Sequence, residues 1–135
     1  MPAIKPLALM AFALATPLAI AGCTQASPAE KPPTAPAAQA IGEPLSCLPL
    51  SRFTNTHVRD DWTIDFIGSA GNKVWRVTLP RRCNGLRSAD SFTYATSLTQ
   101  LCQQDVIYPL NRVGNSLQRS GACGLAPFVP VELER

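Results

Sequence analysis

Trp62-Thr63-Ile64-Asp65-Phe66-Ile67, then Gly68-Ser69-Ala70-Gly71-Asn72, then Lys73-Val74-Trp75-Arg76-Val77-Thr78-Leu79: the fold is decided in this stretch. Two runs rich in β-branched and aromatic residues flank a cluster of turn formers, which is the signature of a β-hairpin. Successive side chains of a strand point to opposite faces, so a pairing register can be tested by asking where it sends the charges. Setting Phe66 opposite Trp75 puts Ile64 opposite Val77 and Trp62 opposite Leu79 on one face. Asp65 then meets Arg76, and Thr63 meets Thr78, on the other face. A slip of one residue would set Ile64 against Arg76 and Asp65 against Trp75. The first register is preferred because both strands bury one continuous apolar face, and it implies a connection running from Ser69 to Asn72. On this reading Asp65 and Arg76 form an exposed pair, worth about 0 to 1 kcal/mol.

Working outward, further strands are predicted at Arg52 to Val58, Ser91 to Ala95, Val106 to Leu110 and Phe128 to Leu133, each bounded by Gly, Pro or polar clusters. Ser97 to Cys102 reads as a single helical turn with Ser97 as its cap. Pro109 lacks an N–H for a ladder and is expected at an edge or a strand end. Arg112 to Gly121 reads as a solvated loop, and no internal repeat is visible. The fold class is therefore all-β, or mainly β with one short helix. Its expected form is a small disulfide-stapled barrel or two-layer sheet of about five or six short strands.

These elements fall within one small domain, residues 45–135, and chains of that size often need covalent help. It contains Cys47, Cys83, Cys102 and Cys123, an even number that reads as two disulfides in an oxidising compartment. Zinc is disfavoured: no C-x-x-C pair occurs, and His57 is the only histidine of the chain. Of the three possible pairings the expected one is Cys83 with Cys102 and Cys47 with Cys123, although Cys47 with Cys83 and Cys102 with Cys123 is comparably easy. The first closes a loop of about 20 residues, worth about 3 kcal/mol in the chain-entropy model.

Residues 23–44 change character abruptly. From Thr24 the composition turns to Ala, Pro, Gln, Ser and Thr, with Pro28, Pro32, Pro33, Pro36 and Pro44 and no aromatic residue. Such a stretch lacks the apolar bulk to offset its ordering entropy and reads as an extended tether, reaching on the order of 60 Å at full stretch. Pro33 and Pro36 make a crude PxxP, a spacing common in tethers. Before it, Lys5 opens an apolar run from Leu7 to Ile20 that Pro17 interrupts. A bilayer core needs roughly 20 apolar residues, so this run is too short to span and fits an export signal. Its end, Leu18-Ala19-Ile20-Ala21-Gly22-Cys23, resembles the lipobox of bacterial lipoproteins. The resemblance implies that residues 1–22 are a signal peptide and that the Cys23 thiol receives a diacylglycerol. It also implies that the new amino group is acylated, with palmitate a usual chain. Several acyl chains anchor firmly where one does not. Thr24, standing where Asp would favour the inner membrane in enteric lipoproteins, implies the outer membrane, facing the periplasm. An uncleaved anchor, or an ordinary signal with Cys23 incidental, would still leave the domain outside the cytoplasm.

Asp60, Asp61 and Asp65 with His57 form an acidic cluster near a possible base, and hydrolytic enzymes use paired carboxylates. The simpler reading makes Asp60 and Asp61 turn residues, Asp65 the partner of Arg76, and His57 a surface residue of an outer strand. No nucleophile elbow or phosphate loop occurs, so no catalytic residue and no cofactor are expected. The stronger bias is toward arginine, with Lys73 the domain's only lysine. Arginine favours forked contacts with carboxylates and phosphates. Arg81, Arg82 and Arg87, after the hairpin, form a candidate patch for an anionic partner, against a net charge of only +3. A nucleic acid is not an expected partner in this compartment.

Over nearly the whole domain the sequence also resembles a family of uncharacterised bacterial lipoproteins with a small four-cysteine domain of unknown function. The residues carrying this likeness are Cys47-Leu48-Pro49-Leu50, Asp60 to Phe66, Leu79 to Leu86, Leu101 to Asp105 and Cys123-Gly124-Leu125. The resemblance implies a compact disulfide-bonded unit and transfers no active site. Together these readings lead to the expectation of a lipid-anchored envelope protein that presents a small rigid β domain for binding or structural interaction. Its expected partners are membrane lipid, through Cys23, and an envelope protein or anionic surface. The alternative is a small periplasmic hydrolase or inhibitor-type ligand binder using Asp60, Asp61 and His57.

Overall fold

The computed structural model describes residues 34–134. The expected signal peptide, Cys23 and the first part of the tether lie outside the described residues, as does Arg135. In chain order the first strands are β1 (Ala38–Ala40), β2 (Cys47–Pro49), β3 (Phe53–Val58), β4 (Thr63–Gly68) and β5 (Val74–Thr78). A one-turn helix, α1 (Leu86–Ala89), follows. Then come β6 (Phe92–Tyr94), β7 (Gln100–Cys102), β8 (Val106–Val113), β9 (Ser116–Arg119), β10 (Cys123–Gly124) and β11 (Val129–Leu133). The described residues are mainly β, as expected, but they form eleven short strands rather than five or six, and among them no sheet closes into a barrel.

The hairpin has the expected register. Thr63 pairs with Thr78, Ile64 with Val77, Asp65 with Arg76 and Phe66 with Trp75. The Leu79 N–H donates to the Trp62 carbonyl at 2.7 Å and extends the match by one step. At the other end the Gly68 N–H donates to the Lys73 carbonyl at 2.8 Å, leaving Ser69 to Asn72 as the connection. Gly71 takes the left-handed conformation this turn requires, with φ 71°. One face buries Ile64, Phe66, Trp75 and Val77. Phe66 is the hub of that core: edge-to-face contacts join it to Phe53, Phe92 and Phe128 at centroid distances of 5.0, 6.2 and 5.2 Å. Aromatic pairs in this geometry add about 0.5 to 1.5 kcal/mol each beyond area burial.

The hairpin forms the middle of an antiparallel five-stranded sheet ordered β1-β11-β5-β4-β3. A second sheet runs β10-β8-β6, with β9 also on β8, and β2 pairs with β7. All three sheets contribute to one core, with Leu48, Leu101 and Ile107 joining the hairpin residues.

Four local expectations are corrected. Ser97 to Cys102 is not a helical turn: its end forms β7, because Leu101 lies opposite Leu48 and both are fully buried. Arg112 to Gly121 is not an open loop, since Ser116 to Arg119 returns along β8 after Gly114 at φ 60°. Pro109 lies inside β8, between the segment that pairs β10 and the segment that pairs β9, so its missing N–H falls at a break in the ladder. The domain also begins before Leu45, because part of the stretch read as tether forms β1 and pairs with β11 from Ala38↔Leu133 to Ala40↔Val131.

All four domain cysteines are paired, in the combination not favoured above: Cys47 with Cys102 and Cys83 with Cys123. The reason is strand pairing. Cys47 and Cys102 face each other across β2 and β7. Cys83 is fully buried in the loop after β5, and Cys123 reaches it from β10. The bridges span 55 and 40 residues of sequence. In the chain-entropy model each such closure is worth roughly 4 kcal/mol. Non-reducing peptide mapping should recover Cys47 linked to Cys102 and Cys83 linked to Cys123. The double substitution Cys83→Ala with Cys123→Ala should lower unfolding stability by roughly 2 to 4 kcal/mol in denaturant titration.

Candidate functional site

Asp65 sits in β4, which is flanked by β3 and β5, and one cross-strand row runs His57, Asp65, Arg76, Val129. The expected exposed pair is in fact buried, with the Asp65 side chain 0% exposed. Arg76 grips it as a fork, Nε to Oδ1 at 2.7 Å and Nη2 to Oδ2 at 2.9 Å. Arg59 adds Nε to Oδ2 at 2.7 Å. The Arg59 N–H donates to the Thr63 carbonyl at 2.9 Å, and this turn-closing bond brings Arg59 back toward β4. Nη1 of Arg76 donates to the Pro36 carbonyl at 2.5 Å, so the segment before β1 joins the same knot. His57 is exposed and makes no side-chain hydrogen bond among the described residues.

Asp60 organises the turn between β3 and β4. Its Oδ1 accepts the Trp62 N–H at 2.8 Å, as turn-forming Asp residues do. Its Oδ2 accepts the N–H groups of Thr34 at 2.5 Å and Ala35 at 2.8 Å. Burial pushes the Asp60 carboxyl up, but the donors Trp62, Thr34, Thr63 and Ala35 outweigh it and hold the group below its ordinary 3.8.

Asp61 anchors the arginine loop. Its Oδ2 accepts Nε and Nη2 of Arg82 at 3.1 and 2.9 Å, and its Oδ1 accepts the Arg87 N–H at 2.9 Å. Nη1 of Arg87 donates to the Val58 carbonyl at 3.1 Å. Arg81 is exposed and has no polar partner among the described residues. The candidate patch is thus a loop on which Arg82 and Arg87 are held to the protein and Arg81 is free.

The three aspartates lie close in the chain but do not converge as a catalytic pair. Each engages its own donors, and guanidinium groups occupy both oxygens of Asp65 beside His57. Arrangements of this kind fix strands and turns; a general base needs an oxygen open to a substrate proton. Among the described residues no group of three or more His, Cys, Asp or Glu is placed to hold a metal ion. Sequence reasoning missed Arg59 and the Thr34–Pro36 backbone. Arg59 carried a signal, since it immediately precedes the turn that returns the chain to β4, whereas nothing marked residues 34–36 as partners. Compared with protein-family models, curated proteins and solved structures, the chain matches none.

Removing the charge of Asp65 strands two guanidinium groups at a buried position. Asp65→Asn should therefore cost about 3 to 5 kcal/mol of unfolding stability, read by denaturant titration. Asp60 has a pH signature of definite sign. Its folded-state pKa is lowered, so its contribution is complete above about pH 5 and is lost as pH falls through the folded value, below 3.8. The stability difference between the wild type and Asp60→Asn should therefore shrink on acidification below pH 3.8 and be flat above about pH 5. A difference that grows on acidification would contradict this assignment.

Proposed function

We propose that the chain is a lipid-anchored protein of the bacterial cell envelope, attached through acylated Cys23, in which residues 34–134 are displayed for binding or structural interaction. The domain acts through its surface and not by turning over a substrate. The observation that carries this reading is the use of the polar groups: Asp60, Asp61 and Asp65 are engaged by backbone and arginine donors, whereas several cations remain directed to solvent. The two disulfides support an oxidising compartment. The lipobox resemblance supports the anchor, and Thr24 after the cysteine supports the outer membrane, facing the periplasm. Partners of this reading are membrane lipid at Cys23 and an envelope protein or anionic surface at the domain. Among the described residues no helix is long and apolar enough to cross a membrane.

Metabolic labelling tests the anchor directly. Labelled palmitate should enter the wild-type chain in a bacterial host and be absent from Cys23→Ser. Equal labelling of the two would overturn the lipid attachment.

A further inference from the structure

The cations of the described residues fall into two groups. Arg59 and Arg76 hold Asp65, Arg82 holds Asp61, Arg87 bonds the Val58 carbonyl, and Arg119 lies 5.6 Å from the Tyr108 ring centroid. Arg52, Lys73, Arg81 and Arg112 have no such partner among the described residues. Arg52 and Lys73 line the same concavity, of about 530 Å³, at the turn end of the β4–β5 hairpin. Ser51, Ser69, Asn72 and Trp75 share its wall, and no carboxylate does. Gly68 lets the backbone pass close to the indole there, since a Cβ at that position would stand 3.3 Å from Cζ3 of Trp75, whose side chain is itself mostly buried. The volume is within the range of small-molecule sites, roughly 300 to 1,000 Å³.

We propose that this concavity is a binding site for a phosphate monoester carried on a hydroxylated body, the chemistry of a sugar phosphate. Two unpaired cations with no neighbouring acid suit a group bearing about −1.5 to −2 charge at neutral pH better than a singly charged carboxylate. The Arg52 guanidinium offers a planar fork to the phosphoryl oxygens and Lys73 a point charge. The hydroxyls of Ser51 and Ser69 and the amide of Asn72 supply donors and acceptors for the hydroxylated part, and the small accessible edge of the otherwise buried Trp75 adds an apolar contact. The turn adds backbone donors, because the N–H groups of Ser69, Ala70 and Asn72 find no protein acceptor among the described residues. The site does not depend on the lipid anchor and differs from the Arg81, Arg82 and Arg87 loop.

The test uses the purified protein carrying Cys23→Ser, isotope-labelled for NMR and titrated at low salt with glucose 1-phosphate, with glucose alone as control. Saturable shifts of the Lys73 amide and the Trp75 indole N–H are expected at about millimolar ligand. Arg52→Glu and Lys73→Gln should each weaken binding about tenfold, whereas Arg81→Glu should change it less than about twofold. The rest of each variant's amide spectrum reports that it is folded. Vesicles of phosphatidylcholine with phosphatidylinositol 4-phosphate separate the sources: binding to them but not to the free ester assigns the site to a lipid headgroup, and binding to the free ester assigns it to a soluble ligand. The proposal is overturned if neither probe binds, if glucose alone gives the same shifts, or if Arg81→Glu weakens binding as much as Arg52→Glu.

Discussion

The buried Asp65 carboxylate is the constraint around which the main sheet is arranged. A carboxylate removed from water costs several kcal/mol unless its oxygens are answered by well-placed donors. Arg76 answers from the neighbouring strand and Arg59 from the turn that precedes β4. Arg76 still has a donor to satisfy, and the Pro36 carbonyl takes it. One charge thus links β4, β5, the turn after β3 and the approach to β1. An apolar trio of similar volume can be as stable as a buried ionic group, so stability alone does not account for it. The ionic arrangement distinguishes registers: a slip of one residue would separate Asp65 from Arg76 and place each against apolar neighbours.

The N-terminal stretch has a second role through the same knot. Thr34 and Ala35 donate to Asp60, Pro36 accepts from Arg76, and Ala38 to Ala40 then pair with β11. Composition described this stretch as a linker, yet its backbone closes one edge of the five-stranded sheet. At the opposite edge, β3, Oδ1 of Asn55 accepts the Thr56 N–H and Arg87 covers the Val58 carbonyl. The ladder of β3 is also interrupted between Phe53 and Asn55. Interruptions and side chains that engage edge groups discourage another chain from adding as a strand. Recognition is left to turns and loops, which a rigid sheet positions.

How far the sequence was legible follows from the range of each interaction. The hairpin register rests on two adjacent runs and an alternation of period two, and it was readable to the residue. The burial of Asp65 was not, because strand alternation sends Asp65 and Arg76 to the face opposite the core. That face is covered by Arg59 and by residues more than two dozen positions away in sequence. The disulfide pairing failed for a similar reason: Cys47 meets Cys102 only because the three-residue strands β2 and β7 pair, and neither is long enough to announce itself. The β7 segment also carried Ser97 as an attractive helix cap, a local preference overridden by burying Leu101 against Leu48. The aspartate cluster was readable as turn and pair residues, while the donors that engage Asp60 could not be anticipated.

Charge shows the same difference between composition and structure. Arg81, Arg82 and Arg87 stood out as a cluster in sequence, but Asp61 lies beneath that loop and holds two of its members through Arg82's guanidinium and Arg87's backbone. A cation already bonded to a protein carboxylate must surrender that contact, or share it, to bind a ligand, so clustering in sequence overstates availability. Arg52 and Lys73 are far apart in the chain and attract no notice there. They come together because the 3-10 turn at Leu50–Arg52 lies beside the end of the hairpin. The β4–β5 register places Gly68, Lys73 and Trp75 at that end, and the pairing of Asp65 with Arg76 is part of what holds the register. The buried charge and the free ones therefore belong to one construction: an ion pair enclosed by the sheet keeps the hairpin in place, and the hairpin's turn carries the uncommitted cation of Lys73 to a position shared with Arg52.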